Sequence, residues 1–244
     1  LPLRSSSRIP IPRAARAGDA PIERAMVRRH PLPPILASPL PNIWLFSDER
    51  LTIDIVELAA ALPPGSGIVL RHDRLAQRTR WRLLRRLIRI ARARGLIVLL
   101  AGTPDIAWRW GADGAHLRQR DARGARRAHR LGLLLTMPVH DAREARRARS
   151  AGVDGAFISP LHPTRSHPGA PALGQAAWLR LARLSGAQAT ALGGMTGGRA
   201  RARVARHQTR LDHPAKNGHM PMDNADIAAV FDEVADLLEV QGAN

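Results

Sequence analysis

The chain has 244 residues, of which 45% are hydrophobic and 24% are charged, and its 38 Lys or Arg against 20 Asp or Glu give a formal charge of +18. This length suits one large domain or two small ones, and it is enough to bury a core. No apolar run approaches the roughly 18 residues that a membrane-spanning helix needs, so we expect no membrane partner. The absence of Cys excludes disulfides, Cys-ligated metals and thiol nucleophiles, and it fits a cytoplasmic protein.

The basic excess raises the question of nucleic acid binding, because Arg-rich surfaces release counterions from phosphates. Lys216 is the only Lys, however, and an excess of Arg beside abundant Ala is also the product of a high-GC coding bias. Only 3% of the residues are aromatic and none is Tyr, so few side chains can stack on single strands. The composition therefore favours a partner other than nucleic acid.

The two ends of the chain differ from its middle in composition. Residues 1–40 are rich in Pro, Arg and Ser without a sustained apolar period, which predicts a disordered extension, although such a start is also typical of a transit peptide. Residues 220–244 contain six acidic side chains and no Lys or Arg, so all 38 cations precede them. A charge break of this kind suggests segments of different origin. We therefore predict a barrel domain over 41–200, a linker over 201–219 and an acidic helical tail over 220–244.

Between these ends, short apolar runs alternate with segments of helical periodicity. The runs predict strands over 43–46, 67–70, 96–100, 114–117, 132–137, 155–158 and 189–192. The periodic segments predict helices over 54–62, 75–94, 122–130, 141–151 and 174–184. This alternation favours an α/β fold of parallel βα units. Seven units indicate a (β/α)₈ TIM barrel, which is incomplete because no eighth strand is recognisable after Met195.

In a barrel of this kind the chemistry lies at the carboxyl ends of the strands. Arg71 follows the second predicted strand and is a fixed cation suited to a pyrophosphate. Thr164, Arg165 and Ser166 follow the sixth strand and offer hydroxyl and guanidinium donors. The pair Gly193-Gly194 follows the seventh strand and allows an anion to approach backbone N–H groups. These donor sets predict phosphorylated small-molecule substrates.

Three motifs in this region resemble those of one known protein family. The first is Gly111-Ala112-Asp113-Gly114-Ala115-His116-Leu117 with Gln119 and Asp121, which resembles "GADGVHLGQxD". The second is Gly152-Val153-Asp154-Gly155 with Ser159-Pro160-Leu161-His162-Pro163-Thr164, which is similar to "GADYxxxGPxFxT". The third is Ala191-Leu192-Gly193-Gly194-Met195, which resembles "AIGGI". The family with these motifs is that of the thiamine phosphate synthases and their TenI relatives, and the order and intervals of the motifs agree with it over residues 43–195.

The resemblance implies a TIM barrel that joins a pyrimidine pyrophosphate to a thiazole phosphate and releases pyrophosphate. It implies pyrophosphate binding by Arg71, Mg²⁺ binding by Asp121, and substrate contacts by Gln119. It also implies substrate roles for four further residues: Thr164, Ser166, Gly193 and Gly194. His167 stands where the family has a catalytic Lys.

Several positions depart from the family pattern. Gly102 stands where the family has a second Mg²⁺ carboxylate, so the Mg²⁺ site lacks one expected ligand. Asp73 replaces a Lys beside Arg71, and Arg118 replaces a Gly. These departures leave open a barrel that binds phosphorylated ligands without catalysing their reaction.

The TenI branch of the family supplies another alternative. Val139-His140-Asp141 resembles that branch's "SVHS", in which the His moves a proton on a thiazole ring. His is a suitable general base near neutral pH, so His140 is a candidate catalytic residue of a thiazole tautomerase. The other interpretation is that His140 merely follows a strand end.

The tail carries a resemblance of its own. Met220-Pro221-Met222-Asp223-Asn224-Ala225-Asp226-Ile227 and the residues up to Asn244 are similar to the start of bacterial X-family DNA polymerases, in a region without catalytic residues. The barrel itself predicts association, because an open barrel exposes strand edges that can pair with another copy. We therefore expect a homo-oligomer.

Overall fold

The computed structural model describes residues 40–47, 49, 54–163 and 171–193. Within this part, seven parallel strands alternate with helices, and each strand pairs with the next one along the chain. The strands are β1 (Trp44–Phe46), β2 (Gly67–Leu70), β3 (Ile97–Ala101), β4 (Gly114–His116), β5 (Leu134–Val139), β6 (Gly155–Ile158) and β7 (Gln188–Ala191). The helices are α1 (Ile55–Ala61), α2 (Gln77–Arg94), α3 (Pro104–Trp110), α4 (Ala125–Arg130), α5 (Ala142–Ala151) and α6 (Gly174–Ser185), with a 3₁₀ helix over Gln119–Gly124.

The predicted (β/α)₈ class is confirmed in an incomplete form. The strand order β1 to β7 is that of a barrel, and in the described part of the chain β1 and β7 are its two edges. Residues 1–39, the linker over 201–219 and the acidic tail lie outside the described residues. The resemblance of the tail to DNA polymerases therefore stays a prediction.

Side chains alternate between two apolar layers along the strands. Ile68 and Leu70 of β2 pack towards the helices, whereas Val69 between them faces the interior of the barrel. β3 repeats this pattern, with Leu99 inside and Leu100 outside. The period of two is the one that a strand covered on both faces requires.

The ring of Phe157 on β6 occupies the centre of the interior layer. It meets Trp44 and Phe46 of β1 in edge-to-face contacts, with ring centroids 5.2 Å and 4.7 Å apart. The side-chain amide of Gln188 on β7 also donates to the carbonyl of Leu40, just before β1, at 2.6 Å. The sheet is therefore curled so that its first strand faces its last two.

Side-chain caps start several helices where the sequence predicts them. The carboxylate of Asp54 accepts from the backbone N–H of Val56 at 2.9 Å at the start of α1. The carboxylate of Asp141 accepts from the N–H of Glu144 at 2.8 Å at the start of α5. These caps fix the helix ends that follow β1 and β5, and with them the loops that carry candidate site residues.

The structure differs from the predicted elements most clearly at three places. Helix α3 is absent from the prediction, although Thr103 before Pro104 is a helix-start pattern. β5 runs past Met137, where the prediction ended it, through Pro138 to Val139, although Pro donates no ladder hydrogen bond. The predicted helix over 122–130 begins as a 3₁₀ turn and becomes α-helical only at Ala125.

No helix in the described ranges is long and apolar enough to cross a membrane.

Candidate active site

Arg71 stands at the carboxyl end of β2, where the sequence predicts it. Its backbone N–H donates to the hydroxyl of Ser47, which follows β1 and is fully buried, at 2.7 Å. The same hydroxyl lies 2.8 Å from Nδ1 of His72. His72 has a φ of +38°, a left-handed conformation that is uncommon and costly for a residue with a side chain. Ser47 thus fixes the loop that presents Arg71.

His116 ends β4 and points into the interior of the barrel. Its Nδ1 lies 2.9 Å from the hydroxyl of Thr136 on β5, and its ring packs against Phe46 and Phe157. Burial, with a smaller contribution from the charge of Arg71, lowers the pKa of His116 from 6.5 to about 4. His116 is therefore neutral at pH 7 and lies close enough to Arg71 to feel its charge.

The carboxylate of Asp73 lies between two guanidinium groups beside Arg71. Arg80 of α2 places Nη2 at 3.2 Å from Oδ1, and Arg118, which follows β4, pairs with Oδ2. Arg80 also donates to the carbonyls of Leu70 at 3.3 Å and Ala101 at 2.5 Å, the last residues of β2 and β3. Three arginines and one aspartate therefore share the rim of the barrel at β2 to β4.

His140 and Gln119 lie on the other side of the rim and are linked through Glu144. Nδ1 and the backbone N–H of His140 both donate to Oε2 of Glu144, at 2.7 Å and 2.8 Å. The side-chain amide of Gln119 donates to the carbonyl of Pro138 at 2.5 Å, and its oxygen accepts from Arg147 at 3.2 Å. Gln119 thus ties the 3₁₀ helix to β5 and α5 and uses its hydrogen bonds within the chain.

Gly193 follows β7 and touches the loop after β6. Its carbonyl accepts from the N–H of His162 at 3.3 Å, and the carbonyl of Leu192 accepts from the N–H of Leu161 at 3.0 Å. Its φ is +87°, and an added Cβ would stand 2.9 Å from Cα of Pro160. Only a glycine fits this close approach of two backbones.

The remaining candidate residues fall in two ranges that the structure does not describe. Thr164, Ser166 and His167 lie between residues 163 and 171, and Gly194 lies just beyond residue 193. Their predicted contacts with substrate therefore stay predictions.

Comparison with known proteins gives the family. A sequence model of the TMP-TENI family, described as thiamine monophosphate synthase, matches residues 45–210, which is more than half of the chain. The chain belongs to this family. The match includes every described residue of the rim from Ser47 to Gly193.

Two thiamine-phosphate synthases show how far the similarity extends. The one from Thermus thermophilus is 34% identical over 91 residues, which cover 37% of this chain and 44% of that protein. The one from Chromobacterium violaceum is 33% identical over 146 residues, which cover 58% of this chain and 70% of that protein. The chain thus spans less than half the length of the Thermus relative that it matches.

Solved structures support the fold. Thiamine phosphate pyrophosphorylase from Pyrococcus furiosus superposes with a TM-score of 0.60 at 20% identity, over 82% of this chain and 96% of that chain. At this identity the likeness establishes the TIM-barrel-like architecture and leaves the activity to be argued from the residues.

The described residues do not fit the Mg²⁺ site that the thiamine monophosphate synthase family implies. Asp121 is exposed, with its carboxylate 3.9 Å from Nε of Arg120. Gly102 supplies no ligand, and Nη1 of Arg80 lies 4.0 Å from where a Cβ on Gly102 would stand. Within the described ranges, no three His, Asp or Glu side chains form a group that could hold a metal ion. A cation thus lies beside the position where the family has a carboxylate.

The motif aspartates of the family have a structural position in this chain. Oδ2 of Asp113 accepts from the N–H of Val98 at 2.8 Å, and Oδ2 of Asp154 accepts from the N–H of Leu135 at 2.7 Å. Asp113 precedes β4 and binds the second residue of β3. Asp154 precedes β6 and binds the second residue of β5. Both lie at the amino end of the barrel, where residues serve stability rather than chemistry.

The sequence interpretation missed the partners that hold the rim residues. Ser47, Arg80 and Glu144 received no role, although Glu144 follows His140 at the four-residue spacing that places side chains on one helix face. Asp73 and Arg118 were noted only as departures from the family. Asp73 follows β2 and Arg118 follows β4, with β3 between them in the sheet, so no pattern local to either residue predicts that they pair.

Proposed function

We propose that the chain is a transferase of the thiamine phosphate synthase type, acting on a pyrimidine pyrophosphate and a thiazole phosphate. In this reaction the bond between the pyrimidine methylene carbon and a diphosphate oxygen breaks, and its electron pair leaves with the diphosphate. The thiazole nitrogen supplies the electron pair of the new C–N bond. The protein must therefore stabilise a departing polyanion.

The observation that carries this proposal is the position of Arg71 on the rim. Ser47 fixes its backbone, and the family match spans the whole loop. A guanidinium presents several donors in a fixed plane and suits the oxygens of a diphosphate. We assign Arg71 to the pyrophosphate and Gly193, with Gly194, to the thiazole phosphate. Thr164, Ser166 and His167 complete the substrate contacts in this proposal.

The experiment is pyrophosphate release by the full chain given both substrates, with and without Mg²⁺. Removing one donor to a developing anion lowers kcat by about 100-fold to 1000-fold in comparable sites, so we expect that loss for Arg71→Ala. Arg89→Ala, which changes an exposed arginine in the middle of α2, is the matched control and should retain full activity. Absence of turnover in the unchanged protein, or equal rates in the two variants, would overturn the proposal.

Thiazole tautomerisation is the second candidate function, and the pairing of His140 with Glu144 favours it. A carboxylate only accepts hydrogen bonds, so Nδ1 of His140 carries the hydrogen of this bond, and in the neutral ring Nε2 carries the lone pair. A ring held in this way is suited to act as a general base. Asp141 is fixed beside it, since the N–H of Glu144 donates to its carboxylate and lowers its pKa.

The two functions separate on two variants. If tautomerisation is the activity, His140→Ala should slow isomerisation of the thiazole phosphate by about 100-fold to 10,000-fold, and Arg71→Ala should leave it unchanged. His129→Ala is the matched control, because His129 lies on the surface with Nε2 at 2.9 Å from the carbonyl of Ala151. Binding of thiazole phosphate without turnover in either assay would identify a barrel that only binds its ligand.

A further inference from the structure

The cluster of charges around Asp73 carries more positive than negative charge. Arg80 and Arg118 both pair with the single carboxylate of Asp73 at the rim between β2 and β4, and Arg71 precedes Asp73 by two residues on the same loop. Among the described residues, Glu49 also lies nearby; it accepts from the backbone N–H of Arg74 at 2.8 Å and lies 3.9 Å from its guanidinium. With that pair neutral, the described charges of Arg71, Arg80, Arg118 and Asp73 sum to about +2, which favours a polyanion.

Arg80 is held rigidly in this cluster. Its side chain is 14% exposed, and it is fixed by two strand-end carbonyls and by Asp73. Burial lowers its pKa, and the charge of Asp73 opposes that shift. Its buried Nε has no partner among the described atoms. A cation fixed in this way needs no reorganisation when an anion arrives.

Arg118 is the more exposed of the two arginines that pair with Asp73. Its side chain is 52% exposed, and Asp73 orients it from the loop after β4 towards the loop that carries Arg71. Asp73 therefore draws together cations from α2 and from the loop after β4. Its own position after β2 places that meeting point at the carboxyl end of the strands, where barrel enzymes bind their substrates.

Gly102 also lies beside this cluster of cations. Its φ of +155° is one that residues with side chains rarely adopt, and Nη1 of Arg80 approaches the space beside it. The chain thus has a guanidinium near the place where its family has a carboxylate. Where a carboxylate would attract a divalent cation, a guanidinium binds phosphate oxygens directly.

We infer that Arg80 and Arg118, oriented by Asp73, bind the diphosphate group of the substrate without a divalent metal. This inference rests on the proposed transferase function, and it adds to that function two residues and a means of binding the leaving group. Together with Arg71, the cluster supplies three guanidinium groups to one diphosphate. Charge-assisted hydrogen bonds of this type are the strong ones in proteins.

The test is calorimetric titration of the full chain with inorganic pyrophosphate in the presence of a chelator. We expect the unchanged protein to bind, and Arg118→Gln to bind about tenfold or more weakly, as the loss of one charge-assisted contact predicts. Arg118 is half exposed, so this variant should fold, and circular dichroism checks that it does. Arg126→Gln, which alters an exposed arginine of α4, controls for the general basicity of the chain and should bind as the unchanged protein does.

Two outcomes would overturn the inference: binding that appears only when Mg²⁺ is added, or equal weakening in the Arg118 and Arg126 variants. The result is separable from the proposed function. If the protein binds pyrophosphate without metal through Arg118 but makes no thiamine phosphate, the diphosphate site is supported and the proposed reaction is wrong. If turnover requires Mg²⁺ and is unaffected by Arg118→Gln, the proposed reaction is supported and the diphosphate site is wrong.

Discussion

The indole ring of Trp44 packs edge-to-face against the phenyl ring of Phe157, with 5.2 Å between their centroids. Trp44 is on β1 and Phe157 is on β6, two strands that share no ladder hydrogen bonds in the sheet. Their contact therefore crosses the interior of the barrel. It holds the curvature that places the rim residues of β1, β2 and β4 around one opening.

This contact predicts a large effect of substitution at Phe157. Phe157→Ala removes a ring that is 1% exposed and is expected to lower the free energy of unfolding by about 3–5 kcal/mol. Phe157→Leu keeps much of the volume and should lose only about 1 kcal/mol, for the edge contacts. Urea denaturation followed by circular dichroism measures both values. A loss of about 1 kcal/mol or less in Phe157→Ala as well would show that the interior tolerates an empty centre and does not depend on this ring.

His116 predicts a defined dependence of stability on pH. In the unfolded chain this His takes up a proton near its ordinary pKa of 6.5, whereas in the folded chain it does so only at about 4. Between these values the unfolded state binds more protons, so acidification favours unfolding. The contribution is complete above pH 6.5 and is lost as the pH falls towards 4, and its size is about 3 kcal/mol.

The comparison of the unchanged protein with His116→Gln isolates this contribution from those of the other titrating groups. Urea midpoints measured from pH 7 to pH 4 should fall more steeply for the unchanged protein. The side-chain resonances of His116 should titrate at about pH 4 over the same range. Parallel pH curves for the two proteins would contradict a buried neutral His at this position.

Asp113 and Asp121 belong to one motif but should respond differently to the same change. Asp113 is 4% exposed and accepts from the N–H of Val98 and from Arg92, each at 2.8 Å. Asp113→Ala leaves these donors without an acceptor and should cost about 1–3 kcal/mol. Asp121→Ala removes an exposed carboxylate and should change stability by less than about 0.5 kcal/mol. Thermal unfolding of both variants gives the comparison, and a larger loss for Asp121 would reverse these assignments.

The strands were predictable because a parallel strand covered on both faces is a short apolar run between turn residues. β2 and β6 have the predicted bounds, 67–70 and 155–158, since glycines and polar residues flank them. β5 extends through Pro138, which lies opposite Phe157 in the ladder although Pro donates no hydrogen bond to it. Helix α3 was missed although α1, also of seven residues, was predicted; the signal for α3 lies in its cap, Thr103 before Pro104.

The rim was predictable only in part. The place of Arg71 on the rim was predictable because it directly follows β2, and the end of a strand fixes the position of the next residue in the barrel. The position of Arg80 does not, because a guanidinium on a long side chain reaches two strand ends from within α2. Pairing across 45 residues, as between Asp73 and Arg118, depends on the sheet register and is invisible to local patterns.

Gly193 gives a test of the loop that closes the far side of the rim. Gly193→Ala must adopt a φ of +87° and place its Cβ 2.9 Å from Cα of Pro160, a backbone atom that moves only with its loop. Gly95→Ala is the matched control, because Gly95 has a φ of +67° with nothing within 4 Å of the added Cβ. Both variants incur the cost of a left-handed residue, about 1 kcal/mol, and only Gly193→Ala adds a clash of about 1–3 kcal/mol. Because the clash displaces the loop after β6, Gly193→Ala should also weaken binding of thiazole phosphate, while Gly95→Ala should not. Thermal unfolding and calorimetric titration measure the two effects, and equal behaviour of the variants would show that the contact with Pro160 does not shape this part of the rim.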